Sequence, residues 1–323
     1  MNIKMIRAAA LRLAGNARLT PLLTSPFLDK LAGRRVWVKP ECLQVTGSFK
    51  FRGGWSAVSA LDEKVRSKGV IAFSSGNHAQ GVAHAAQLHN VPAVIVMPSD
   101  APKLKIQNTR DFGAEIVLYE RGSENRDEIG AKIATDRGLT LIKPFDEPQV
   151  IAGQGTTGLE IAAQCAEQGV HKADILVCCG GGGLTSGIAL ATEAVAPDLR
   201  ARPVEPENFD DVARSLRSGK IERNATSSGG LCDAIITPSP GDITFPIMER
   251  LCGPGIVVSD EDALRAMAQA FLRLKLVAEP GGAVALAAAL YHGDQIEGDD
   301  VVVVISGGNV DTTVFARALE YLE

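Results

Sequence analysis

The chain lacks the features that mark several common protein classes. Its six cysteines form no C-x-x-C pair, and its five histidines show no zinc-type spacing. No run of eighteen apolar residues occurs, so no membrane-spanning helix is expected. The net charge of −5 and the lack of a strong basic patch argue against nucleic acid and acidic membranes as partners. Reduced thiols and no recognisable signal peptide make the cytoplasm the expected location.

Short β-branched segments alternate with helical patterns along the 323 residues. Strands are predicted at residues 36–38, 70–73, 93–97, 115–119, 175–179, 201–204 and 301–305, and helices at 153–168, 259–275 and 281–292. This alternation predicts an α/β fold with parallel sheets covered by helices. We expect a large domain from residues 1–65 and 147–323 and a smaller one from residues 66–146. A site is expected in the crevice between the two domains.

Four consecutive glycines, Gly180 to Gly183, follow a predicted buried strand and precede a helix that starts at Leu184. Bare backbone N–H groups at a helix N-terminus suit a phosphate, and a flexible turn is an equally good interpretation. The segment has no G-K-[ST] and does not fit G-x-G-x-x-G, so it is neither a P-loop nor a dinucleotide fingerprint. A smaller phosphorylated cofactor remains.

Lys50 lies in the segment Thr46-Gly47-Ser48-Phe49-Lys50-Phe51. We expect Ser48 to cap a helix, which would put Lys50 in its first turn. The helix dipole and the flanking Phe49 and Phe51 then favour the neutral amine, which Schiff-base chemistry needs. Taken alone, a lysine is far more often a solvated charge, so this assignment depends on the other motifs.

Two further polar loops follow predicted strands. Ser74-Ser75-Gly76-Asn77-His78 precedes a helix, and its amides and hydroxyls suit a carboxylate, although simple N-capping explains the loop equally well. Ile305-Ser306-Gly307-Gly308-Asn309 follows the last strand and alone predicts only a turn.

In this order the motifs resemble fold-type II pyridoxal-phosphate enzymes, which include threonine and serine dehydratases, serine racemase and, more remotely, the tryptophan synthase β-subunit. The resemblance extends from Thr20 to Asp311 and includes Ala-Gly-Gln-Gly-Thr at residues 152–156. It implies the two-domain fold of the tryptophan synthase β-subunit, pyridoxal 5′-phosphate as the cofactor, and a homodimer.

The resemblance also implies a role for each matching residue. Lys50 would hold the cofactor as a Schiff base and later remove the α-proton, and Ser75 would be a base on the opposite face. Asn77 would hydrogen-bond the pyridine 3′-oxygen. Ser306 would pair with the pyridine nitrogen, and this neutral partner makes the ring a weaker electron sink that suits elimination. The remaining implied contacts are the cofactor phosphate with Gly180, Gly181, Gly182, Gly183 and Leu184, and the substrate α-carboxylate with Ser74, Asn77 and His78.

The segment from Glu205 to Asp211 resembles the divalent-cation loop of serine racemase. The Glu205 and Asp211 carboxylates and the Phe209 carbonyl would bind a hard cation such as magnesium, calcium or manganese. Without the resemblance, an acidic surface loop that begins a helix is the favoured interpretation.

The resemblance predicts an ammonia-lyase that converts a small β-hydroxy amino acid, with L-threonine or L-serine leading, to a 2-oxo acid and ammonia. Phe145 and Glu279-Pro280-Gly281-Gly282 are nearer the dehydratase pattern, whereas the cation loop belongs to the racemase branch, which includes 3-hydroxyaspartate dehydratases. Arg126 matches a racemase arginine on the distal side of the substrate and would pair with a second carboxylate. A solvent-facing helix arginine is an equally good interpretation.

Three alternative functions stay open. The first is a 3-hydroxyaspartate dehydratase. The second is a serine or amino-acid racemase that uses Lys50 and Ser75 as opposed bases. The third is a catalytically silent protein that binds pyridoxal phosphate or an amino acid.

Overall fold

The computed structural model describes residues 1–74, 76–101, 103–120, 123–226 and 228–322, and within them two parallel sheets form. The strands are β1 Arg35–Pro40, β2 Val70–Phe73, β3 Ala93–Pro98, β4 Glu115–Tyr119, β5 Thr140–Leu141, β6 Ala173–Cys178, β7 Leu199–Pro206, β8 Ile256–Val258 and β9 Asp300–Ile305. The predicted α/β class with parallel sheets is therefore confirmed.

The larger sheet has the order β1-β9-β6-β7-β8 and the smaller sheet the order β4-β3-β2-β5. Every residue of the two central strands β6 and β9 is buried, because helices cover both faces of the larger sheet. All ladders are parallel, so the carboxyl ends of the strands share one edge in each sheet. The expected domain limits at residues 65/66 and 146/147 stay a prediction, consistent with the position of the smaller sheet.

Helices connect the strands and cover the sheets. Their bounds are α1 Ile3–Leu13, α2 Pro26–Ala32, α3 Lys50–Ser59, α4 Glu63–Arg66, α5 Asn77–Leu88, α6 Lys103–Asp111, α7 Arg126–Arg137, α8 Pro148–Glu167, α9 Gly183–Val195, α10 Asp211–Ser218, α11 Thr244–Leu251, α12 Asp260–Gln269, α13 Pro280–Tyr291 and α14 Thr312–Leu319. Among these described helices, none combines the length and apolarity that crossing a bilayer requires.

Helices α3 and α5 lie unusually close to each other, and this contact positions the start of α3. A Cβ added at Gly54 would come within 2.8 Å of the Gly81 carbonyl oxygen, and one added at Gly81 within 2.9 Å of the Lys50 carbonyl oxygen. Only glycine permits such an approach of two backbones. The contact therefore fixes Lys50 next to the helix that follows β2.

The predicted cap of α3 was wrong, although Lys50 does lie in the first turn. The N-cap residue is Phe49, and no side chain caps the helix. Ser48 is in extended conformation and forms an antiparallel bridge with Gly307, while its buried hydroxyl oxygen has no partner among the described residues. Pairing with the segment after β9 takes precedence over capping at this position.

Candidate active site

A cavity of about 270 Å³ opens at the carboxyl ends of β2 and β6, one strand from each sheet. Of the predicted site residues, those that line it are Lys50, Ser74, Asn77, His78, Arg126, Gly180, Gly181, Gly182, Gly183 and Leu184. Residues predicted from distant segments are thus brought together. Ser75 was also predicted here but lies outside the described residues.

Lys50 is placed with its amine inside this cavity. Its Nζ donates a hydrogen bond of 2.8 Å to the Pro144 carbonyl oxygen and lies 5.1 Å from the centre of the Phe49 ring. Burial lowers the pKa of Lys50 to about 8, and the nearby Glu279 carboxylate opposes this shift. A large fraction of the amine is therefore neutral and nucleophilic near pH 8.

A chain of hydrogen bonds holds the Asn77 side chain in one orientation. The Asn77 amide nitrogen donates to Glu279 Oε1 at 2.6 Å, and Asn309 Nδ2 donates to Asn77 Oδ1 at 2.7 Å and to the Thr46 carbonyl at 2.8 Å. Burial raises the pKa of Glu279 to about 7, and the charge of Lys105 opposes that rise. The nitrogen and the oxygen of the Asn77 side-chain amide are thereby both hydrogen-bonded, so the side chain is held in one orientation at the cavity wall.

The glycine loop forms a bare backbone cradle at the start of α9. Gly182 is the N-cap residue, has a φ of +91°, and no side chain caps the helix. The Gly181 carbonyl accepts hydrogen bonds from Thr244 Oγ1 at 2.6 Å and from the Gly241 amide at 3.2 Å, which fixes the loop from behind. A Cβ at Gly181 would collide with the Phe145 ring. The uncapped amides at this helix N-terminus suit a phosphate group.

Gln154 shows that this cavity is built for a polar ligand. The residue has no exposed surface, lines the cavity, and neither its Nε2 nor its Oε1 has a partner among the described residues. Its Oε1 would lie 2.6 Å from a Cβ added at Gly183, so the amide is beside the phosphate cradle. Buried amides are rarely left unpaired, and a phosphorylated pyridine with ring substituents would fill the space and satisfy such groups. The residues present therefore fit pyridoxal phosphate.

The start of α5 forms the second polar wall. No side chain caps this helix, and Ser74 Oγ accepts a hydrogen bond of 3.1 Å from the Gly76 amide. His78 Nε2 lies 2.9 Å from the Ile142 carbonyl oxygen and so carries the proton, while burial, aided by the charge of Lys50, lowers the pKa of His78 to about 3. His78 is neutral, so the amides of the helix, not an imidazolium, would attract a carboxylate here.

Ser306 is buried, whereas the Arg126 side chain is half-exposed. Ser306 is 4% exposed at the end of β9, where its amide donates to the Gly282 carbonyl and its carbonyl accepts from the Phe49 amide. It stands behind the cavity wall, not on the lining surface. The Arg126 side chain is half-exposed, and its Nε is 3.9 Å from Asp127, so it reaches the cavity from the solvent side.

The predicted cation ligands lie at the junction of β7 and α10, and none of them lines the cavity. Glu205 is buried, and its two carboxylate oxygens accept the amides of Val212 at 2.9 Å and Ala213 at 2.7 Å. Asp211 Oδ1 accepts from Asn224, while its buried Oδ2 has no partner among the described residues. Across the described chain, no group of three or more His, Cys, Asp or Glu side chains is placed to hold a metal. The predicted set has two carboxylates and is smaller than such a group.

Comparison with known proteins identifies the family. Residues 13–307 match the family described as pyridoxal-phosphate dependent enzyme. The chain belongs to the pyridoxal-phosphate-dependent enzyme family. It is 44% identical over 312 residues to an L-threo-3-hydroxyaspartate ammonia-lyase from a Pseudomonas species, covering 97% of this chain and 96% of that protein.

Two other relatives support the same family assignment. A serine racemase from Schizosaccharomyces pombe is 38% identical, with 97% of this chain and 96% of that protein covered. The solved structure of a T.th. threonine deaminase has a TM-score of 0.91 and 44% identity, and the match covers 96% of this chain and 99% of that one. The predicted fold-type II architecture and the prediction of a pyridoxal-phosphate-dependent ammonia-lyase are confirmed.

Several residues that line the cavity or support its wall were missed from the sequence. Gln154, Glu279 and Asn309 lie within quoted motifs, yet nothing in their spacing assigned them contacts. Lys105 and Asp233, which form an ion pair in the cavity lining, gave no sequence signal at all. A single lysine in a helix and a single aspartate in a loop are ordinary surface residues until the fold brings them together.

Proposed function

We propose that this enzyme removes water and then ammonia from a small β-hydroxy amino acid, leaving a 2-oxo acid. The observation that carries the proposal is the amine of Lys50, whose pKa is lowered to about 8 by burial, facing a phosphate cradle across a cavity of amino-acid size. Relatives named as ammonia-lyases support the reaction class.

Each residue has a defined task in this reaction. Pyridoxal phosphate, when bound, withdraws electrons from the amino-acid Cα and so acidifies its proton. Lys50 would hold the cofactor through Nζ, and the same amine would accept the Cα proton. Asn77, fixed by Glu279 and Asn309, would hydrogen-bond the ring oxygen, and Gly180 to Leu184 would bind the phosphate. Ser306 would be the partner of the ring nitrogen.

The substrate is oriented by its carboxylate at the amides of α5, near Ser74, Asn77 and His78. The β C–O bond then breaks, and the proton that Lys50 took from Cα would leave with the hydroxyl as water, so that the amine is neutral again. The released enamine takes up water in solution and gives the 2-oxo acid and ammonia, so atoms balance without any oxidant. The Phe49 and Phe145 rings beside Lys50 and the glycine loop exclude water from the reacting atoms.

Two substrate classes fit the cavity. The sequence favours L-threonine or L-serine as the first of them. A specific observation favours 3-hydroxyaspartate as the second candidate, because Arg126 and Lys105 both line the cavity and two relatives carry that substrate in their names. The test is ammonia release from a panel of β-hydroxy amino acids by cofactor-loaded enzyme. Absence of release from every member would overturn the proposal and favour a silent binding protein.

Racemisation is the alternative activity, supported by the serine racemases among the relatives. It requires a second base, for which Ser75 is our candidate. Ser75→Ala should then abolish racemisation and use of the D-isomer but leave part of the elimination from the L-isomer. Equal loss of both activities would argue for a binding or structural role of Ser75.

We also propose a divalent cation, magnesium, calcium or manganese, at Glu205, Asp211 and the Phe209 carbonyl. Burial and the mutual repulsion of the two carboxylates raise the pKa of Glu205 well above its usual range, and burial raises the pKa of Asp211 to about 7. Two buried carboxylates without a cationic partner in contact attract a hard cation. None of these residues lines the cavity that holds Lys50, so the cation would have a structural and activating role. The homodimer and the cytoplasmic location stay predictions.

A further inference from the structure

The cavity contains Lys105, a cation that has no role in the proposed reaction and that faces the expected position of the substrate. Lys105, on α6, has only 11% of its side chain exposed, yet its Nζ is 3.3 Å from Asp233 Oδ2, whose side chain is 55% exposed. Charge-assisted hydrogen bonds between ammonium and carboxylate are usually about 2.7–2.9 Å long. The buried Lys39–Glu160 pair of this same chain is 2.6 Å. The Lys105–Asp233 pair is therefore longer than a typical ion pair, and the half-exposed Asp233 side chain can move into solvent.

The position of Lys105 relative to α5 is the second observation. Its Nζ would lie 3.6 Å from a Cβ added at Gly76, the N-cap residue of α5. The amides of that helix start are the proposed site of the α-carboxylate. A second carboxylate two carbons away on the same substrate would thus come within reach of the Lys105 ammonium.

The charge balance of the lining points in the same direction. Lys105 and Arg126 contribute two cations on this side of the cavity, His78 is neutral, and Asp233 is the acidic side chain that lines it among the described residues. On the lining surface a second substrate carboxylate would meet two cations and one carboxylate, while Glu279, which also interacts with Lys105, lies behind Asn77. A dicarboxylate substrate would pair with Lys105, and the Asp233 side chain could then turn outward to water.

We propose that Lys105 determines specificity by binding the second carboxylate of a β-hydroxy dicarboxylic amino acid, and that Asp233 occupies this position until the substrate arrives. The inference rests on the proposed ammonia-lyase function and names the substrate class of that site. Replacement of one carboxylate by another keeps the buried ammonium paired throughout, which avoids the penalty of an uncompensated charge.

The test compares two substrates in the cofactor-loaded enzyme and two ligands that do not react. Lys105→Met keeps the length of the side chain and removes the charge. We expect it to lower kcat/KM for L-threo-3-hydroxyaspartate roughly ten- to a hundredfold, the usual effect of losing a hydrogen bond to a charged group. The kcat/KM for L-threonine should change less than about threefold, within the range for an exposed pair. Calorimetry should show succinate binding lost in the variant and the weak binding of butyrate unchanged.

Asp233→Asn gives an effect of the opposite sign. It removes the competing carboxylate, so succinate should bind about two- to fivefold more tightly, the value expected for a half-exposed ion pair. Lys103→Ala is the matched control, because Lys103 is an exposed lysine on the same helix and should leave both substrates unaffected.

The outcomes separate this inference from the proposed function. If wild-type enzyme releases ammonia but Lys105→Met affects threonine and 3-hydroxyaspartate equally, Lys105 serves the α-carboxylate or the fold and the inference is wrong. No effect on either substrate would equally overturn it, since Lys105 would then pair only with Asp233. Failure of the wild type on every β-hydroxy amino acid would instead contradict the proposed function.

Discussion

At the scale of single residues, the properties of Lys50 come from neighbours far away in sequence. Its place in the first turn of α3 and the nearness of the Phe49 ring to its amine followed from the local sequence. The carboxylate that opposes the pKa shift, Glu279, lies more than two hundred residues away and reaches the site through Asn77. No local pattern predicts such a partner, because it depends on which loop ends meet at the sheet edges.

The charge of Glu279 should set the pH at which Lys50 becomes reactive. Because the Glu279 carboxylate raises the pKa of Lys50, Glu279→Gln should lower that pKa below about 8 while the amide still accepts a hydrogen bond from Asn77. The rate at which cofactor-free enzyme takes up pyridoxal phosphate, followed by absorbance, should rise with pH through a midpoint near pH 8 in wild type. In the variant the midpoint should move to lower pH. An unmoved or higher midpoint, or the same shift in the exposed control Glu297→Gln, would refute this linkage.

At the scale of elements, seven of the nine described strands were predicted, and the two shortest, β5 and β8, were missed. The buried strands β6 and β9 were identified within two residues, since strands covered on both faces are apolar throughout. β5 has two residues and β8 three, too few to show a period, and they form because longer neighbours offer them an edge. Ser259 and Asp262 form a capping box at the start of α12, but α12 ends at Gln269 and a π-helical turn replaces its predicted last turns.

The conformation of the glycine loop should matter for cofactor binding as well as for folding. Gly182→Ala places an L residue at φ +91° and brings its Cβ within 2.5 Å of Met248 Cε. Gly113→Ala is a matched control, with φ +80° and open space around its Cβ. Both should lose about 1–2 kcal/mol of unfolding free energy from left-handed strain. Only Gly182→Ala should also weaken pyridoxal phosphate binding, by roughly tenfold if one phosphate contact is lost.

Equal cofactor affinity in the two glycine variants, measured by titration of cofactor-free protein, would show that the loop does not bind the phosphate. A larger loss of stability in Gly182→Ala is compatible with the crowding around Met248 and does not affect the comparison.

The pH dependence of stability tests whether a cation binds at the junction of β7 and α10. The folded-state pKa of Asp211, about 7, exceeds its ordinary value of 3.8, and that of Glu205 is raised as well. The folded cation-free protein therefore binds protons more tightly than the unfolded chain, and its stability should fall as pH rises from about 4 to 7. Magnesium should remove this loss and raise the melting temperature more at pH 8 than at pH 5.

Variants of the two carboxylates sharpen that experiment. Asp211→Asn should abolish the magnesium response, whereas Glu207→Ala, at an exposed position of the same loop, should keep it. Glu205 also caps α10, so Glu205→Ala is expected to lose stability with or without the cation. If magnesium leaves the wild-type melting temperature unchanged at both pH values, the segment from Glu205 to Asp211 binds no cation and is only the acidic start of a helix.

At the scale of the whole molecule, the site exists because two parallel sheets present their carboxyl ends to one cavity. β2 contributes the start of α5, β6 contributes the glycine loop, and the close contact between Gly54 and Gly81 sets Lys50 between them. The alternation of strands and helices predicted the sheets, and the order of the motifs predicted the family. The pairing of Lys105 with Asp233 was not predictable, because it depends on how α6 meets the turn at Asp233–Ile235.

The most direct test of the central claim is the covalent position of the cofactor. Purified enzyme loaded with pyridoxal phosphate is reduced with borohydride, digested and sequenced by mass spectrometry. Lys50 is the lysine whose amine, with a pKa of about 8, faces the phosphate cradle. We expect a single pyridoxyl adduct on Lys50, and none in Lys50→Ala treated in the same way. An adduct on Lys105 or any other lysine of the wild-type enzyme would contradict the assignment of Lys50.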